Sequence, residues 1–73
     1  MEIQRLVYMA NQIAVAFRTA GEAAAVAATE DHLRKFWDPR MRRQIVEHLA
    51  RGGEGLDAVA RAAVARLDAA AAM

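Results

Sequence analysis

The only proline of this chain, Pro39, follows Asp38 near the middle of a sequence otherwise suited to helix. The residue before a proline is pushed out of the helical region, so a helix arriving from the N-terminal side must stop here. Aspartate is also a good helix N-cap, and proline fits the first helical position, so the same pair starts the next helix. Asp38-Pro39 therefore imposes a corner with a helix on either side. Gly52-Gly53 imposes a second break, because glycine supplies the left-handed conformation that closes a helix.

Helical periodicity fills the intervals. Ile3, Leu6, Val7, Ala10, Ile13, Ala14 and Phe17 share one face of a first helix, read from Ile3 to Arg18. Thr19 to Gly21 interrupts it. A second helix runs from Glu22 to Phe36 or Trp37, with Val26, Leu33 and the aromatics inward. A third, Pro39 to Arg51, presents Met41, Ile45, His48 and Leu49. In a fourth, Leu56, Val59, Ala60, Ala63, Val64 and Leu67 form the tightest apolar stripe, and the tail 68–73 extends it or frays. No segment has the alternation of a strand. The expected fold is all-α, a small bundle of about four short helices in one domain covering residues 1–73.

Such a bundle has little to bury. The chain is 56% hydrophobic, yet roughly a quarter of its 73 residues are alanine. At this size apolar burial and chain-ordering entropy nearly cancel, so a staple or a partner is expected. Cysteine is absent, which excludes disulfides and thiolate metal sites. The net charge of +1 is no polycation's. There is no signal-peptide pattern at the start and no apolar run near the ~20 residues that span a bilayer. A cytoplasmic protein without a membrane partner is the expectation.

Catalytic chemistry finds no foothold. Without serine there is no Ser-His-Asp triad. His32 and His48 are not at a helical ligand spacing, and His48 reads better as a hydrogen-bonded core residue. Residues 52–55, Gly-Gly-Glu-Gly, follow no strand and so match neither a P-loop nor a dinucleotide fingerprint. No catalytic, cofactor-binding or metal-binding residue is assigned.

The densest chemistry lies between residues 34 and 43, where five of the ten positive charges stand beside Phe36 and Trp37. Glu30 with Arg34 and Asp31 with Lys35 are spaced for ion pairs along a helix, and Glu47 could reach Arg43 and Arg51. Arg40 and Arg42 have no evident local mate. The arginines of the third helix point to different sides rather than lining one, unlike a recognition helix, so nucleic acid is not the expected partner. Trp, Phe and Arg are enriched where proteins meet. Tyr8 and Val15 on the first helix and Val46 on the third also miss the core stripes. The candidate docking residues are thus Tyr8, Val15, Phe36, Trp37, Arg40, Arg42, Arg43 and Val46. Because neighbouring helical positions diverge by about 100°, one of Phe36 and Trp37 is expected to fill the corner and the other to stay partly open, the alternative being that both lie in one small core.

Three stretches carry a resemblance: MANQIA at residues 9–14, HLRKFWDPRMRRQI at 32–45 and GGEGLDAVARAAVARL at 52–67. They resemble, in order, the small delta subunit of NAD-dependent, molybdenum-containing formate dehydrogenases. The resemblance implies a non-catalytic accessory subunit supporting assembly, cofactor insertion or stability of the complex. It implies that the complex holds bis-molybdopterin guanine dinucleotide, iron–sulfur clusters, FMN and NAD, none bound by this chain. It also implies formate dehydrogenase subunits as partners, with the large alpha subunit as the expected neighbour. Arg40, Arg42 and Arg43 could instead meet the cofactor's pyrophosphates, but a protein-facing role is the reading preferred. The residues alone leave two other readings: a stand-alone basic helical module on nucleic acid, and a self-associating domain whose homodimer supplies the missing core.

Overall fold

A computed structural model describes residues 2–71, with side chains described through Leu67. The order is α1 (Ile3–Phe17), a 3₁₀ turn (Arg18–Ala20), α2 (Glu22–Phe36), α3 (Pro39–Ala50) and α4 (Ala58–Ala71). The all-α expectation holds, and no strand occurs among the described residues. Residues 72 and 73 of the expected tail lie outside the described residues.

Each break has a local cause. Gly21, at φ +97°, turns the chain from the 3₁₀ segment into α2. Trp37 and Asp38 are extended, and the Asp38 carboxylate accepts the Met41 N–H at 3.0 Å to cap α3 above Pro39. At the far end of α3 the Gly53 N–H reaches the His48 carbonyl at 2.9 Å and the Gly52 N–H reaches that of Leu49 at 3.0 Å. This pair is the Schellman closure, and Gly52 takes the φ of +118° that it requires.

The fourth helix begins later than its apolar stripe predicts. Leu56 is buried, but it belongs to the turn, where its N–H bonds Gly53. Asp57 is the cap: its carboxylate accepts the Ala60 N–H at 2.8 Å. The stripe marked a buried face correctly but could not separate a helical leucine from one placed by the loop.

The most extensive helix contact is α2 on α4, with α1 on α2 next. Among the described residues five of the fourteen buried apolar ones are alanines: Ala10, Ala14, Ala25, Ala60 and Ala63. Small side chains at these crossings let backbones approach, while Leu6, Leu33, Ile45 and Val64 fill the remaining space. Of the two adjacent aromatics at the corner, one fills it and the other stays open, as their divergence on the helix implies. Trp37 is buried at 5% exposure, whereas Phe36, the last residue of α2, stands 71% exposed.

Candidate docking site

Two kinds of residue come together around the corner at Asp38: those that hold the fold and those left open. The open ones form a shallow apolar groove. Its α1 wall is Tyr8, Met9, Gln12 and Ile13; α2 contributes His32 and Phe36. Trp37 forms the floor, and Met41 closes the α3 side. Tyr8, at 63% exposure, and Phe36 are the large exposed side chains of the groove.

The groove's aromatic wall is ordered by His32. Its ring lies 4.7 Å from that of Phe36, one helical turn on, and 6.4 Å edge-on from that of Phe17. The imidazole thus links the end of α1 to the last turn of α2, and Phe36 is held against it while staying open to solvent. Val15 is 52% exposed and shares with Tyr8 and Gln12 a strip of α1, two turns long.

The expected docking set divides accordingly. Tyr8, Val15 and Phe36 are at the surface, as are Arg40 and Arg43. Three others lie deeper in the fold. Trp37 belongs to the core and reaches the groove only as its floor. Arg42 is half-buried and donates to the Arg34 carbonyl at 2.7 Å, closing the C-terminal end of α2. Val46 is partly buried and packs on the core, sharing the inner side of α3 with Ile45 while Met41 and Leu49 are also only partly covered.

Apart from His48, the polar side chains holding residues 52–57 are ones that sequence reading passed over. Asn11 donates to the Gly55 carbonyl at 2.8 Å and accepts the Asp57 N–H at 3.0 Å. Arg61 donates to the carbonyls of Gly52 and Gly53, and His48 bonds that of Glu54 at 2.7 Å. Arg18 pairs with Asp57 at 3.2 Å. The loop lacks regular structure, so its carbonyls need these donors. His48 is hydrogen-bonded as expected, with the loop as its partner, but it is half-buried at the edge of the fold and is not a core residue. Holding the loop fixes α1 against α3 and α4, and with them the groove's walls.

Ion pairs account for further charges. The Glu30 carboxylate meets Arg34 at 2.6 Å and Arg66 at 2.7 Å, tying α2 to α4, and Lys35 meets Asp31 at 3.1 Å. The pairs expected of Glu47 with Arg43 and Arg51 do not form among the described residues. No group of three or more His, Asp or Glu side chains gathers for a metal among the described residues, and no described helix is long and apolar enough to cross a membrane.

No curated protein and no solved structure matches the chain. The model of the NADH-dependent formate dehydrogenase delta subunits, FdsD, matches residues 5–64, which include every wall of the groove. The chain belongs to the FdsD family of NADH-dependent formate dehydrogenase delta subunits.

Proposed function

We propose that this chain is a non-catalytic accessory subunit that docks on the large catalytic subunit of a cytoplasmic formate dehydrogenase and supports its assembly, cofactor insertion or stability. The observation that carries the reading is the groove between Tyr8 and Phe36, apolar and open in a chain whose own core is thin. Covering a side chain such as Phe36 contributes about 1.5–3 kcal/mol, so a partner gains from the surface this fold leaves open. The molybdenum cofactor, iron–sulfur clusters, FMN and NAD belong to the partner subunits in this reading. A chain without cysteine offers no thiolate for an iron–sulfur cluster.

Copurification of the tagged chain from native extract, followed by metal analysis, tests the role. The expected result is recovery of a large molybdenum and iron–sulfur subunit, diminished by Phe36→Ala while helicity is unchanged. Recovery of no such subunit would remove the proposal.

A further inference from the structure

The charges around the groove indicate what kind of segment fills it. Among the described residues six of the ten cations are engaged internally: Arg18, Arg34, Lys35 and Arg66 with carboxylates, Arg42 and Arg61 with carbonyls. Arg5 and Arg40 form neither an ion pair nor a side-chain hydrogen bond among the described residues, and both are exposed. Arg5 lies one turn before Tyr8 and Met9 on the same strip of α1. Arg40 precedes Met41 and stands on its solvent side, away from the buried Ile45. At the corner Lys35 is paired with Asp31, and the one carboxylate beside Arg40, that of Asp38, caps the α3 N-terminus through the Met41 N–H while keeping its charge. The apolar floor thus has a rim with cations to spare.

The walls also restrict the backbone of whatever enters. They are helices, whose N–H and C=O groups are bonded within themselves, so there is no strand edge to extend. An extended segment would press its own unpaired backbone against apolar side chains. A helix brings its backbone already satisfied.

We infer that the groove receives an amphipathic helix of the partner subunit, with apolar side chains against Trp37, Ile13 and Met41 and Asp or Glu residues on its flanks facing Arg5 and Arg40. This rests on the reading that the chain docks on the dehydrogenase.

The experiment uses the full chain in the assembled complex. A photoreactive p-benzoylphenylalanine replaces Phe36, and the cross-linked peptide is sequenced. The expected adduct lies on a helical segment of the large subunit with carboxylates within a turn of the attachment point. In parallel, the double variant Arg5→Glu, Arg40→Glu is expected to bind that subunit about ten-fold more weakly at ~0.1 M salt, the difference closing toward ~1 M. Both arginines lack internal partners, so its circular dichroism should match the parent. An adduct on a carboxylate-free segment or on a second copy of this chain overturns the inference, as does a double variant binding within about two-fold of the parent. Those results leave docking itself intact. Failure of the unaltered chain to bind any dehydrogenase subunit would instead defeat the docking reading.

Discussion

The Arg42 guanidinium donates to the Arg34 main-chain carbonyl at 2.7 Å, bridging the first turn of α3 and the last turn of α2 across the Asp38-Pro39 corner. Carbonyls at a helix C-terminus have no partner within the helix and carry the negative end of its dipole. A cation delivered by the next helix satisfies one of them and sets the angle of the corner. Arg42→Ala should therefore cost about 1 kcal/mol, lowering Tm by roughly 4–8 °C in a domain of this size. Arg43→Ala, exposed and without a bond among the described residues, should melt with the parent. Equal melting of both variants would show that the bridge does not form in solution.

Asn11 holds the loop through both ends of its amide, donating to Gly55 and accepting from Asp57. Only one orientation of the amide serves both partners, so the side chain acts as a two-point clasp. Asn11→Asp keeps the acceptor, loses the donor and brings a second carboxylate near Asp57. Asn11→Asp is expected to destabilise by about 2 kcal/mol in urea titrations, with faster hydrogen exchange at the Asp57 amide. Unaltered exchange there would remove the clasp.

Much of this architecture was legible because it is decided within one turn of chain. Asp38-Pro39 and Gly52-Gly53 closed and opened helices where their chemistry required. The i,i+4 pairs at Glu30 and Asp31 were legible in the spacing, although the same spacing around Glu47 yields no pair among the described residues. What escaped depends on distant residues: Asn11 meets a loop 44 to 46 positions away, and Arg18 meets Asp57 across 39. Adjacency showed that Phe36 and Trp37 diverge, but only the packing of α1 and α3 decides which is covered. The Asp57 cap was readable in principle, as an aspartate just before an apolar run. The stripe through Leu56 concealed it by drawing the helix start too early.

Glu30 differs from Asp31 although both belong to ion pairs on α2. Its side chain is only 16% exposed and joins two arginines, one from α4, whereas the Asp31 pair lies open at 59% and 65%. Screening by water leaves exposed pairs worth little, while a partly covered network spanning two helices keeps more of its attraction. Glu30→Gln should cost about 1 kcal/mol at low salt and less at ~1 M, and Asp31→Asn should stay within ~0.5 kcal/mol. Urea midpoints at two salt concentrations decide the matter; equal effects from the two substitutions would contradict it.

Thr29 is fully buried on α2, and its hydroxyl has no hydrogen-bond partner among the described residues. A helical threonine commonly bonds a carbonyl one turn back, which softens the loss of water. Here that bond is missing, and an unsatisfied buried hydroxyl costs about 1–3 kcal/mol. Valine has nearly the same outline and no polar atom. Thr29→Val is therefore expected to raise stability by about 1 kcal/mol, seen as an increase in Tm of roughly 4–8 °C. Thr29→Ser keeps the hydroxyl and removes the packed methyl, so it should melt below the parent. The contrast separates polarity from packing, because the two substitutions change one each. A valine variant less stable than the parent would mean that the hydroxyl is bonded in solution, and a serine variant matching the parent would mean that the methyl contributes nothing to the contacts of α2.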